Sequence, residues 1–244
     1  MNANLLKFAR AFFVYAEAIG EDVGDVGSFA LDQFKKIKDP YMIIDYADNF
    51  LDKVESSVGG SSRVVYNLSD KAVLKVAADA GEKGRRQNET EVEVFTNPKT
   101  KPIVARVYDF NPDYIWIISE KVKPLYYSQQ LVEAGAPFMF LLDNYLYYHT
   151  RMIKSYNDYL EFGDEGMKRD FEEGYREMNT IESQMGPKGL VIARALADLV
   201  EYSDLLKGDL LEPTQWGLTE DGRLVLLDYG CTRKLYDELY AGQG

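Results

Sequence analysis

With 244 residues, the chain is long enough for one large domain or two lobes around a buried core. Its content, 46% hydrophobic and 28% charged, is that of a globular protein and excludes wholesale disorder. A formal net charge of −12 argues against general nucleic-acid binding, because phosphate backbones attract basic faces. No apolar run reaches the roughly 18 residues that a membrane span needs. The N-terminal residues lack the basic region, apolar core and small-residue cleavage site of a secretory signal, so none is predicted. A single cysteine, Cys231, leaves no internal disulfide and suits a reducing cytoplasm, the expected location. One histidine, His149, beside one cysteine argues against a Cys/His zinc site.

In chain order, residues 1–19 set Leu5, Leu6, Phe8, Ala9, Phe12, Phe13, Ala16 and Ile19 at mostly helical spacing. This predicts an amphipathic helix that packs on the body, docks a protein partner or lies on a membrane surface, the last disfavoured by its few basic residues. A second helical pattern runs from about Phe29 to Val54, interrupted near Asp39-Pro40. Residues 1–55 are therefore expected to form a helical N-terminal extension. At Val58 the composition changes. Gly59-Gly60-Ser61-Ser62 precedes a β-like run from Arg63 to Leu68, Ser69-Asp70-Lys71 makes a turn, and Ala72 to Ala77 follows as a second strand. Arg85 to Phe95 reads as a helix. Pro102–Tyr108 and Tyr114–Ser119 read as strands around an Asn111-Pro112-Asp113 turn.

Three helices are predicted next: an aromatic-rich one from Pro137 to Phe162, one over about Met167–Gln184, and one from Pro187 to Leu205 with its proline at the start. The last delivers the chain to Gly208-Asp209. Leu224 to Leu227 then reads as a buried strand, entered through an Asp221-Gly222 turn and ending on Asp228. Asp209 and Asp228 are thus expected at one edge of a small sheet. Such a carboxylate pair can hold a divalent cation and orient a nucleophilic hydroxyl.

Asp228-Tyr229-Gly230 resembles the metal-binding Asp-Phe-Gly motif of the protein-kinase-like superfamily, and Gly208-Asp209-Leu210 resembles that family's catalytic-loop aspartate. Val73-Leu74-Lys75-Val76 is similar to its phosphate-contacting lysine strand. The order of elements also matches: Gly-rich turn, lysine strand, acidic helix, two strands, helices, then the two aspartate motifs. Gln215-Trp216-Gly217 followed by Asp228-Tyr229-Gly230 is similar to small kinase-like proteins of bacteriophages, pointing to a phage or bacterial source. The resemblance covers about residues 56–234. It implies an α+β, bilobal fold: a five-stranded antiparallel N-lobe sheet with one helix (56–121) and a small, mainly helical C-lobe (122–244), behind the extension.

The resemblance further implies ATP and Mg²⁺. Gly59, Gly60, Ser61 and Ser62, a partial match to the family's glycine pattern, would cover the phosphates. Lys75 would meet the α- and β-phosphates, held by Glu91, which faces away from the flanking acids Glu89 and Glu93. Backbone groups of Glu120 and Val122 would meet adenine. Asp209 would orient the acceptor hydroxyl. Asp228 and Gln215 would hold the metal, Gln215 standing one residue beyond the family's usual asparagine. Lys207-Gly208 replaces the family's His-Arg, and the fourteen residues after Gly230 leave no space for a long activation segment.

The reading that follows is an ATP- and Mg²⁺-dependent phosphotransferase acting on an unknown hydroxyl acceptor, with AMP transfer also open. The alternative is a pseudokinase, a nucleotide-binding interaction module that regulates a protein partner without catalysis. A third is an α+β protein whose motif matches are coincidental. Residue by residue, Gly59 to Ser62 also reads as a linker, Lys75 as a surface lysine, and the alternate glutamates as a solvated face. His149 reads as structural, and Cys231 as a small buried residue or a redox sensor. Neither a P-loop nor a Gly-x-Ser-x-Gly motif is present.

Overall fold

The computed structural model describes residues 29–54, 62–78 and 82–239. The predicted helix over 1–19, and Gly59, Gly60 and Ser61, lie outside them. Among the described residues the chain is α+β, with nine α-helices and two antiparallel sheets of four and three strands. No described helix is long and apolar enough to cross a membrane.

The helical pattern from Phe29 breaks where the sequence predicts. After α1 (Leu31–Phe34), Asp39 caps α2 (Pro40–Phe50), accepting from the Tyr41 and Met42 amides. Pro40 takes the first helical position, where a missing N–H costs nothing. Strands β1 (Arg63–Asn67) and β2 (Ala72–Ala77) form a hairpin, closed by the Ser69 hydroxyl accepting from the Lys71 and Ala72 amides. Helix α3 (Glu82–Thr96) begins three residues before the predicted Arg85. Its first turn sits hard against the hairpin: a Cβ at Gly84 would lie 2.3 Å from the Ser62 carbonyl oxygen. Strands β3 (Val107–Phe110) and β4 (Trp116–Glu120) complete a sheet of order β1-β2-β4-β3.

This sheet corrects the prediction of five strands. The fifth place, outside β1, is taken by residues 52–54, which make one bridge, Lys53 to Tyr66. The Val54 amide donates to the Val65 carbonyl, and the Asn67 amide to the Asp52 carbonyl, each at 2.8 Å. The predicted strand from Pro102 is also shorter. Lys101–Ile103 forms a 3₁₀ turn, and Val104-Ala105 turns away to pair with Leu226, the Ala105 amide donating at 2.9 Å. Pairing with β4 begins only at Val107.

Beyond β4, the chain runs through β5 (Lys123–Pro124), α4 (Ser128–Glu133) and a long pair, α5 (Met139–Phe162) and α6 (Glu165–Ser183). Gly163 (φ 68°) ends α5 and Asp164 caps α6, which turns the pair antiparallel. Helix α7 (Pro187–Ser203) stops at Asp204, which takes φ 50°. Asp209 then lies in a one-turn helix, α8 (Lys207–Leu211), where the sequence predicted a loop. Strands β6 (Trp216–Leu218) and β7 (Leu224–Leu226) turn at Gly222 (φ 77°) and form the three-stranded sheet with β5. Helix α9 (Arg233–Leu239) closes the described chain.

Two cores flank the four-stranded sheet. On one face Phe29, Phe34, Ile43 and Ala47 meet Tyr66, Leu74, Val76 and Trp116. The described part of the predicted extension thus shares a core with the sheet. On the other side Val92 and Phe95 of α3 join Leu142 and Leu146 of α5, Leu196 and Leu199 of α7, Trp216, Leu226 and Tyr229. This second core joins the two sheets. Phe34 is fully buried, with ring centroids 5.3 Å from Phe29 and 5.5 Å from Trp116. Phe34→Ala should therefore cost about 3–5 kcal/mol, read as a lowered urea midpoint with an unchanged slope.

Candidate functional site

Side-chain parity in a strand sets the floor of the site. Arg63 and Val65 of β1 share a face with Val73 and Lys75 of β2, since Val65 pairs with Lys75 and Arg63 with Ala77. All four line a cleft of about 610 Å³ between the sheets. Helix α3 stands behind them and presents Glu91, which has no exposed surface. The Lys75 ammonium donates to Glu91 Oε2 at 2.7 Å, to Oε1 at 3.0 Å, and to the Leu227 carbonyl at 2.8 Å. Glu93 is exposed and Glu89 half-buried, as the helical spacing requires.

Sequence reasoning passed over Arg63. It is 6% exposed, and its Nη1 donates to Glu91 Oε1 at 2.7 Å and to Asn88 Oδ1 at 3.2 Å. Its Nη2 donates to Asp228 Oδ1 at 2.6 Å. Asn88 is fixed in turn by donating to the Tyr114 carbonyl at 2.9 Å. The usable signal was its parity: a cation on the inward face of β1, two residues from the partner of Lys75.

Asp228 stands deep in the fold yet keeps 52% of its side-chain surface open to the cleft. Desolvation pushes its carboxyl up, but the charges of Arg63 and Lys75 outweigh it and hold the group below the usual carboxylate value. The chain reaches Asp228 from β7 and leaves through Tyr229, whose hydroxyl donates to the Ala105 carbonyl at 2.7 Å. Gly230 follows because only hydrogen fits: a Cβ would lie 2.6 Å from the Gln87 carbonyl oxygen. Asp209 lines the same cleft from α8. Burial, then the charges of Asp228 and Glu212, raise its pKa.

Gln215 also lines the cleft, and its carbonyl accepts from the Leu227 amide at 2.7 Å, which sets it beside Asp228. The oxygen donors of Asp228 and Gln215 suit a hard divalent ion that draws its other ligands from phosphate and water. No group of three or more His, Cys, Asp or Glu arranged for a metal occurs among the described residues. Such an ion would also share Asp228 with Arg63.

At the other end of the cleft, Val122 has neither backbone group in a hydrogen bond among the described residues. Glu120 also lines the cleft. Its amide donates to the Arg106 carbonyl at 2.8 Å, and its carboxylate binds Arg223 at 2.6 and 2.8 Å, tying the β6–β7 hairpin to β4. Ser62 lines the cleft and donates from its hydroxyl to Gln87 Oε1 at 2.6 Å. Cys231 is half-buried at the rim. Burial and the nearby Asp209 and Asp228 push its thiol up to about 11, which leaves little reactive thiolate at neutral pH. His149 lies on α5, stacked on Tyr145 with centroids 6.1 Å apart and outside the cleft lining.

The structure therefore brings Lys75, Asp209, Gln215 and Asp228 to one cleft, with Glu91 paired to Lys75 behind it and Glu120, Val122 and Ser62 on its walls. No protein-family model, curated protein or solved structure matches the chain.

Two outcomes follow from the electrostatics. Glu91→Gln removes the charge that neutralises two buried cations and should cost about 3–5 kcal/mol in denaturant unfolding. Asp209 has a raised folded-state pKa, so its ionised form opposes folding. Asp209→Asn should melt above wild type at pH 7, and the gap should close as pH falls below the ordinary carboxylate value. A gap that widens on acidification would contradict the assignment.

Proposed function

We propose that the chain is a kinase-like, nucleotide-binding protein whose cleft positions ATP for phosphoryl transfer to a hydroxyl acceptor. The observation that carries this reading is the buried Lys75–Glu91 ion pair, which shares one cleft with two further carboxylates on separate elements. A lysine with its ammonium held by an internal glutamate is a fixed point charge, suited to gripping phosphate oxygens. In this reading the four-stranded sheet with α3 forms the N-lobe, and the helices with the three-stranded sheet form the C-lobe.

The chain's own groups divide the work. Val54, Val65, Val73 and Val122 give the cleft apolar lining suited to a flat base. The Val122 amide and carbonyl are the backbone groups available to read its edge. Lys75 holds the α- and β-phosphates. Asp209, with its raised pKa, accepts the proton of the attacking hydroxyl. Asp228 and Gln215 are the residues that would hold Mg²⁺, which when bound neutralises charge between the phosphates. Placement and neutralisation supply the rate enhancement.

One observation favours the second reading, a nucleotide-binding module without catalysis. Arg63 stands on Asp228, where an active enzyme would hold its metal. The two readings separate on turnover. Wild-type protein should melt at higher temperature with millimolar ATP, by mass action on the folded state, and Lys75→Met should abolish the rise. If the chain is catalytic, Asp209→Asn should lower consumption of γ-labelled ATP by about 10²–10⁴-fold while ATP still raises its melting temperature. An ATP-induced rise without turnover identifies the module. Absence of any rise would contradict both.

A further inference from the structure

We propose that Arg63 is a phosphate-binding residue of the cleft that occupies Asp228 in a cation's place until a nucleoside triphosphate arrives. The inference rests on the nucleotide-binding reading and adds a residue and an order of binding to it.

A guanidinium has five N–H donors in a rigid fork. Arg63 commits two to Asn88 and Glu91, deep behind the sheet, and one to Asp228 at the cleft surface. The two inner bonds are buried and anchor the side chain, since Glu91 has no exposed surface and Asn88 is pinned to Tyr114. The bond to Asp228 differs, because half of that carboxylate faces open cleft. The remaining two donors find no protein acceptor among the described residues, although Arg63 lines the cleft. The guanidinium is thus anchored through Nη1 and exchangeable at Nη2.

Charge supports the same assignment. Around the cleft floor, Lys75 and Arg63 face Glu91, Asp228 and Asp209. With Arg63 this set carries one net negative charge; without it, two. A polyanionic ligand entering beside Lys75 therefore meets less repulsion when Arg63 is present. Phosphate oxygens also take the fork in paired hydrogen bonds, which a carboxylate already shared with solvent does not outmatch. As Nη2 exchanges Asp228 for phosphate, Asp228 Oδ1 is released for a divalent ion. Phosphate binding then precedes metal binding.

Binding measurements test this without relying on turnover. Manganese, read by its electron paramagnetic resonance signal, should bind wild-type protein weakly alone and at least about tenfold more tightly with ATP. In Arg63→Gln, manganese alone should bind at least about tenfold more tightly than in wild type, because Asp228 has lost its counter-ion. In EDTA, Arg63→Gln should weaken ATP at least about tenfold, and adenosine, which has no phosphates, less than about twofold. Arg63→Lys, which keeps the charge but not the fork, should fall between, and the wild-type manganese titration requires no variant at all. Manganese binding wild type as tightly without ATP as with it would overturn the proposal, as would ATP affinity unchanged in Arg63→Gln. If wild type binds neither ATP nor adenosine, the nucleotide reading itself fails. That result is distinct from one in which adenosine and ATP bind but Arg63 is indifferent.

Discussion

A carboxylate with no exposed surface must be neutralised where it stands, and in this chain that group is Glu91. Lys75 reaches it from β2 and Arg63 from β1, so two strands and a helix meet on one charge. The requirement explains much nearby. Asn88 must hold the second guanidinium contact, α3 must approach the hairpin closely enough to need Gly84, and β7 must end where its Leu227 carbonyl accepts the third Lys75 bond. The chemistry of the cleft is then a by-product of satisfying the core: the cations that neutralise Glu91 are the cations that face the cavity.

The surrounding packing keeps this arrangement rigid. One core seals the outer face of the four-stranded sheet beneath α1 and α2, and the other runs from α3 through α5 and α7 to Trp216 and Tyr229. Trp216 is fully buried and donates from its indole nitrogen to the Leu210 carbonyl at 2.9 Å. That bond locks the helical turn carrying Asp209 to the strand that begins beside Gln215. Tyr229 does the same between Asp228 and the Ala105 backbone. The two carboxylates on the open side are therefore placed by buried aromatic hydrogen bonds. Polar groups held at the surface of a well-packed interior are preorganised.

Local pattern carried a large part of this into the sequence. Helices α5, α6 and α7 were legible within two residues at each end, because long periodic segments with a proline start or a glycine stop declare themselves. The β6–β7 hairpin was legible from Asp221-Gly222, and the inward face of Glu91 from helical spacing. What escaped was set by partners distant in sequence. The fifth strand was implied by the family resemblance alone; residues 52–54, read as the end of a helical pattern, bridge β1 through backbone bonds that no side chain advertises. Val104-Ala105 looked like strand and is extended, but its partner is Leu226, more than a hundred residues on. Asp209 was expected on a loop because a five-residue helical turn leaves no period to detect. Arg63 was passed over because its two carboxylate partners come from α3 and the end of β7; its role is a property of the assembled cleft.

The most direct test of the central claim, that Lys75 faces the phosphates of a bound nucleotide, is covalent mapping with an acyl-phosphate derivative of ATP. A lysine amine held beside the phosphates attacks the acyl carbonyl, forming an amide and releasing the nucleotide phosphate. Peptide mass spectrometry would then locate the label. Acylation should concentrate on Lys75 and be suppressed by excess ATP. Label spread over exposed lysines, with Lys75 unmodified and no competition by ATP, would contradict it.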